Sequence, residues 1–408
     1  MARFITLQYQ PKISGVMSHL PASKSISNRV LVIRALSQGR APIKNLSEAN
    51  DTRLMQKLIT SSESVIDAED AGTTMRFLTA YFAITGSQKL LTGTERMKQR
   101  PIRLLVDSLR KLGADIVYTE NEGFPPLKIQ GAFIQKTSRI AIRGDVSSQF
   151  ISALLLVAPA LPQGLTLELE RKISSRPYID MTLALMRSFG SNPHCIENRI
   201  EVPPGSYQSV PYTVEPDWSA ASYWFAFVAL AKDAELVLPG VTLKSVQGDR
   251  VIVDIMEQLG VKAEPRGNDL LIASKEYRPE FSWDFTGCPD LVQTVAVVCA
   301  ARGINATFTG LESLKLKETD RTKALQVELA KLGATFTNAG EAWHLTSTQK
   351  LPDQIPPIHT YLDHRMAMAF APLCMMRNVQ IENPEVVKKS YPHFWRDVQS
   401  AGITSVEE

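Results

Sequence analysis

Two rhythms of apolar and polar positions alternate along this chain of 408 residues. One kind of segment opens on small or polar residues and then runs apolar around nearly the whole helical circumference. Its copies fall at 23–36, 71–84, 148–158, 217–231, 290–301 and 363–376. Helices of that kind need cover on all sides, so they are expected inside. The second kind is amphipathic, at 51–59, 101–113, 177–190, 249–260, 320–333 and 392–402. Pro in the first turn and Gly just past the end punctuate several of these copies. Their terminal glycines, Gly113, Gly190, Gly260, Gly333 and Gly402, recur at intervals of about seventy residues. Alternating β-branched stretches at 139–142, 165–169 and 306–309 read as strands. The pattern predicts an α/β chain of six βαβαββ-like repeats. Six units exceed one ordinary core, so two domains of three units each are expected, dividing between Pro203-Pro204-Gly205 and Pro216. A first strand at 4–9 precedes the first unit, and the pattern leaves open which half it joins.

Composition narrows the class. With 44% hydrophobic and 21% charged residues the balance is that of a soluble globular protein, and a net charge of +3 is too mild for a nucleic-acid binder. Cys195, Cys288, Cys299 and Cys374 form no C-x-x-C pair, which fits a reducing, cytoplasmic setting and argues against a zinc or disulfide framework. The uncharged run 146–167 is interrupted by Gln149, Pro159, Pro162, Gln163 and Gly164, so no membrane span is expected.

The chemistry gathers at the heads of the apolar helices. Pro21-Ala22-Ser23-Lys24-Ser25-Ile26-Ser27-Asn28-Arg29 puts hydroxyls and two cations at a helix start, where backbone N–H groups lack partners and the dipole is positive. The other heads and adjoining turns carry Arg76, Arg100, Arg176, Arg250, Lys317, Arg321, Arg365 and Lys389. If each half directs its heads to one end, two such ends facing each other make a cleft for small, multiply charged anions. Of the carboxylates there, Asp51, Asp70, Asp217, Asp249, Asp320 and Asp363 read as helix caps. Asp290 and Glu318, the latter amid alternating charges, read as candidates for proton transfer. Neither G-x-G-x-x-G, a P-loop, H-E-x-x-H nor G-x-S-x-G occurs.

These blocks resemble the 5-enolpyruvylshikimate-3-phosphate synthases, members of the enolpyruvyl transferase family, over essentially the whole chain. The matching stretches are the one from Pro21 to Arg29, Asp70-Ala71-Gly72-Thr73-Thr74-Met75-Arg76, Arg100-Pro101-Ile102, Val146-Ser147-Ser148-Gln149-Phe150, Ser175-Arg176-Pro177-Tyr178-Ile179-Asp180, Lys317-Glu318-Thr319-Asp320-Arg321 and Asp363-His364-Arg365-Met366-Ala367-Met368. The resemblance implies a two-domain inverse α/β barrel, three repeats per domain, with 21–214 as one domain and 1–20 plus 215–408 as the other. It implies transfer of the enolpyruvyl group of phosphoenolpyruvate to the 5-hydroxyl of shikimate 3-phosphate, releasing phosphate, by a monomer with no metal or organic cofactor and no nucleic-acid or membrane partner. By motif position, Lys24, Ser25, Arg29, Ser147, Ser148, Ser175, Tyr178, Asp290 and Lys317 correspond to the shikimate 3-phosphate side. Lys24, Gly72, Arg100, Gln149, Arg321, Arg365 and Lys389 correspond to the phosphoenolpyruvate side. Asp290 is then the base for the hydroxyl, and Glu318 or Lys24 the acid that protonates carbon.

The sequence departs from that pattern at Ala22, where Gly is usual, at Asp70, where Asn is usual, at Phe77, where Pro is common, and at Ser313, where Asn is common. Two rivals stay open: an enolpyruvyl transferase acting on UDP-N-acetylglucosamine, and a non-catalytic phosphate- or RNA-end-binding protein of the same fold. The first typically has Lys-Asn near the N-terminus and a loop cysteine, whereas here Lys24-Ser25 stands and 92–103 holds no cysteine. The second is expected to lack the set Lys24, Asp290 and Glu318.

Overall fold

The computed structural model describes residues 3–17, 19–145, 147–348 and 350–407. Met1 and Ala2, and Val146 of the apolar run and of the fourth matching stretch, lie outside the described residues. The chain folds as two compact units, Ser23–Val214 and Met1–Ala22 with Glu215–Glu408.

In the unit Ser23–Val214, the apolar helices Lys24–Ser37, Gly72–Ile84 and Ser148–Val157 pack on one another. Of the last, only Gln149 escapes full burial, as an apolar circumference requires. The amphipathic helices are Asn50–Leu58, Arg103–Leu112 and Arg176–Ser188. One four-stranded sheet runs Val65–Asp67, Lys89–Thr92, Leu127–Gln130, Asp115–Tyr118, and another Arg139–Arg143, Leu165–Glu170, Arg199–Val202, His194–Ile196. In each, the first pair is parallel and the other two are antiparallel. A parallel pair needs a crossover, and the buried helix supplies it; an amphipathic helix and a hairpin follow. Burial alternates along Arg139–Arg143, so one sheet face covers helices and the other meets water. Gly113 ends its helix at φ 118°, and a Cβ there would lie 1.9 Å from the Ile134 carbonyl oxygen, so only glycine fits.

The other unit repeats the plan with buried helices Trp218–Leu230, Val292–Arg302 and His364–Phe370 in mutual contact. Its four-stranded sheets run Lys12–Val16, Asp233–Leu238, Asp269–Ser274, Val261–Arg266 and Glu280–Asp284, Asn305–Thr309, Ala342–Ser347, Ala334–Ala339, with the same parallel-then-antiparallel order. The first strand, Phe4–Leu7, lies between Val379–Glu382 and Ser405–Glu407, antiparallel to both. Among the described residues no helix is long and apolar enough to cross a membrane.

Several helix starts or ends differ from the pattern. The segment 363–376 is α-helical only to Phe370 and tightens to a 3-10 turn over Ala371–Met375, where Pro372 lacks the N–H an α-helix would use. Asp290 sits in a 3-10 turn, Pro289–Leu291, ahead of Val292–Arg302. Asp70 does not cap its helix: Ala71 holds the cap position with no side-chain hydrogen bond.

Candidate active site

The helix heads of the unit Ser23–Val214 are tied together by side chains. Ser23 caps Lys24–Ser37 by accepting from the Ile26 N–H, and Ser147 caps Ser148–Val157 by accepting from the Gln149 N–H. Gln149 Nε2 donates to Thr73 Oγ1 at 3.2 Å, joining the heads of Gly72–Ile84 and Ser148–Val157. Lys24 Nζ pairs with Asp51 Oδ2 at 3.0 Å, so Asp51 binds the cation and Ala49 takes the cap position of its helix. Ser25 gives its backbone carbonyl to Arg29, which donates to it through Nη1 at 2.8 Å.

Arg29 is buried and donates also to Thr182 Oγ1 (2.8 Å), Ser152 Oγ (3.2 Å) and the Tyr178 carbonyl (3.4 Å). All these acceptors are neutral, and among the described residues Arg29 forms no ion pair. Burial lowers its pKa to about 10, which leaves it charged at neutral pH. Instead of pointing wholly at a ligand, its guanidinium knits three helices together and leaves their joint end positive. Arg100 is likewise buried, its Nε without a hydrogen-bond partner, and it lies over Gly72, where a Cβ would come within 2.7 Å of Nη1. Ser148 heads its helix and Ser175 precedes another; both are buried, and Ser175 is left-handed at φ 54°. Arg176, by contrast, turns to Asp180 and Cys195, an ion pair within its own helix.

The other unit gathers charge more densely. Arg321, 1% exposed, donates through Nε to Asp363 Oδ2 (2.7 Å), through Nη1 to Asp290 Oδ1 (3.0 Å) and through Nη2 to Glu318 Oε2 (3.0 Å). Arg365 Nη2 donates to Asp290 Oδ2 at 2.8 Å, Lys317 Nζ lies 3.5 Å from Asp290 Oδ1, and Lys389 Nζ lies 4.0 Å from Glu318 Oε1. Burial pushes the Asp290 carboxyl up, but Arg365, Lys317 and Arg321 together outweigh it and hold the pKa well below the usual carboxylate range. Burial lowers the Lys317 ammonium despite Asp290 beside it. The predicted residues Asp290, Lys317, Glu318, Arg321, Arg365 and Lys389 thus form one cluster.

Two further carboxylates that join this cluster read in the sequence only as caps. Asp363 does accept from the Arg365 N–H, yet it also anchors Arg321, and Asp249 lies in a 3-10 turn hydrogen-bonded to Ser219. No local signal separates these carboxylates from Asp217 and Asp320, which do cap helices. Among the described residues there is no group of three or more His, Cys, Asp or Glu suited to a metal ion.

Buried helix heads carrying arginines and lysines, with a cation-gripped aspartate, define an α/β protein equipped for small, multiply charged anions. A sequence profile of the family described as EPSP synthase (3-phosphoshikimate 1-carboxyvinyltransferase) matches residues 55–398. A 3-phosphoshikimate 1-carboxyvinyltransferase of Bacteroides fragilis is 47% identical over 388 residues, covering 94% of each chain, and one of Cellvibrio japonicus is 39% identical over 96% of this chain and 98% of its own. A solved EPSP synthase of Acinetobacter baumannii shares the fold at a TM-score of 0.78 and 20% identity, over the full length of both chains. The chain belongs to the EPSP synthase family, and it is an enzyme, a carboxyvinyltransferase of the shikimate pathway.

Proposed function

We propose that the protein transfers the enolpyruvyl group of phosphoenolpyruvate to the 5-hydroxyl of shikimate 3-phosphate by addition and elimination, releasing phosphate. The observation that carries this reading is Asp290, a carboxylate 15% exposed and gripped by Arg321, Arg365 and Lys317. Such a carboxylate is a weak base while the cations hold it. A substrate carboxylate or phosphate that draws Arg365 and Lys317 to itself raises the Asp290 pKa, so substrate binding arms the base.

Asp290 then takes the proton of the 5-hydroxyl as its oxygen attacks the substituted carbon of phosphoenolpyruvate. The methylene carbon takes a proton from Glu318 or Lys24, giving a tetrahedral intermediate. Loss of a methyl proton and departure of phosphate restore the double bond. Arg100, Arg321, Arg365, Lys389 and Gln149 hold the phosphoenolpyruvate anion, with Gly72 leaving room for its phosphate. Ser25, Arg29, Ser147, Ser148, Ser175, Tyr178 and Lys317 hold shikimate 3-phosphate. Preorganised cations aimed at developing charge supply most of the stabilisation.

The same reading takes the fold as an inverse barrel of six βαβαββ units, three in 21–214 and three in 1–20 plus 215–408, supported by the four complete sheets. It takes the protein as a cytoplasmic monomer. The deciding experiment is phosphate release from phosphoenolpyruvate with shikimate 3-phosphate or UDP-N-acetylglucosamine as acceptor. Release with the first alone is expected; release only with the second, or with neither, would overturn the reading.

A further inference from the structure

Asp249 has no role in the chemistry above, yet it is joined to it. The side chain is 4% exposed, Oδ2 accepts from the Ser219 hydroxyl, and Oδ1 has no hydrogen-bond partner among the described residues. Ser219 Oγ accepts in turn from Arg365 Nη2 at 3.4 Å, the same nitrogen that donates to Asp290 Oδ2 at 2.8 Å. One guanidinium nitrogen is therefore shared by two carboxyl groups, one directly and one through a hydroxyl.

The titratable and charged groups that face Asp249 are Asp290, Arg365, Asp217 at the head of Trp218–Leu230, and the Cys288 thiol, which burial pushes far above neutrality. Burial, reinforced by Asp290 and Asp217, raises the Asp249 carboxyl to about 7 against the pull of Arg365 and Ser219. The group therefore changes charge near neutral pH. With Asp249 neutral, Arg321, Arg365, Lys317 and Lys389 face Asp290, Glu318 and Asp363, an excess of one positive charge. With Asp249 ionised that excess disappears.

We propose that Asp249 is a positioning residue that takes up a proton from solvent when the anionic phosphoenolpyruvate binds, releasing Arg365 from the Ser219 bridge toward the anion. The proposal rests on the reading of Arg365 as a phosphoenolpyruvate contact. A bound anion favours the protonated carboxyl, so affinity is full below the Asp249 pKa and declines as the pH rises through it. The proton returns to solvent when the anion leaves.

The test measures KM for phosphoenolpyruvate and kcat from mildly acidic to mildly alkaline pH, at saturating shikimate 3-phosphate, in the wild type, Asp249→Asn and Ser219→Ala. Because phosphoenolpyruvate titrates its own phosphate, the informative quantity is the ratio of wild-type to Asp249→Asn KM at each pH. That ratio is expected to rise about tenfold across the range, one pKa unit of coupling, with the kcat ratio nearly constant. Ser219→Ala is expected to flatten the rise. A pH-independent KM ratio would overturn the proposal while turnover itself upheld the functional reading; a wild type that releases no phosphate would overturn both. Should Asp249→Asn fail to fold, calorimetry of the wild type at pH above the substrate's phosphate titration, in two buffers of different ionisation enthalpy, reads proton uptake on binding. Net uptake is expected, and zero uptake or release would overturn the proposal.

Discussion

Replacing Arg321 with methionine removes the cation shared by three carboxylates while keeping most of the side-chain volume. The wild-type guanidinium is 1% exposed and reaches Asp363, Asp290 and Glu318 at 2.7, 3.0 and 3.0 Å. Without it, Asp363 at 0% exposure loses two charge-assisted bonds, and Asp290 loses one of the three cations that grip it, keeping Arg365 and Lys317. Breaking a buried pair from one side costs about 3–5 kcal/mol, so Arg321→Met is expected to lose that much stability at pH 7. The pH dependence follows from Asp290, whose folded pKa is depressed. Its contribution is present above the unfolded pKa and is lost as pH falls through the folded one. In the variant that folded pKa rises, so the deficit shrinks as pH falls from 7 toward the carboxylate range. Urea unfolding followed by tryptophan fluorescence measures this in the right place, because Trp218, Trp224, Trp283, Trp343 and Trp395 all lie in the unit that holds Arg321. A deficit under about 1 kcal/mol, typical of exposed pairs, or one unchanged with pH, would refute the reasoning.

Other substitutions test separate links. Asp290→Ala is expected to lower kcat by about 10²–10⁴ with unchanged circular dichroism, as removal of a general base should; near-normal turnover would remove Asp290 from that role. Gly72→Ala puts a methyl where Arg100 Nη1 lies 2.7 Å away, so KM for phosphoenolpyruvate is expected to rise about tenfold from one weakened charge-assisted contact, and an unchanged KM would mean Arg100 does not touch that anion. Trp224→Ala empties a fully buried site stacked on Phe227 and is expected to cost about 3–5 kcal/mol in the same urea assay; a loss below about 1 kcal/mol would contradict the packing.

The helices were legible because each is written locally. Apolar circumference marks Trp218–Leu230 as interior, and Gly113 and Gly303 stop their helices in the left-handed conformation. The strand partners were not, since pairing is a long-range choice: Lys12–Val16 meets Asp233–Leu238 only after the whole unit Ser23–Val214 has intervened. Within the site, cations at helix heads could be read from residue type and position. Among the carboxylates, Asp290 and Glu318 stood out, whereas Asp51, Asp249 and Asp363 did not, because an aspartate near a helix start serves equally as a cap, as Asp217 does, or as an ion-pair partner, as Asp51 does. Pro372 was a readable signal that 363–376 does not stay α-helical, and helical periodicity alone passes over it.

The proton route through carbon is open to a direct test by running the reaction in deuterium oxide and recording the vinyl group of the product by NMR. Addition and elimination make a methyl group from the methylene of phosphoenolpyruvate, so deuterium is expected in the product's vinyl position, accompanied by one phosphate released per transfer. Phosphate release with a vinyl group carrying protium alone would show that carbon is never protonated, and with it the roles given to Glu318 and Lys24 would fall.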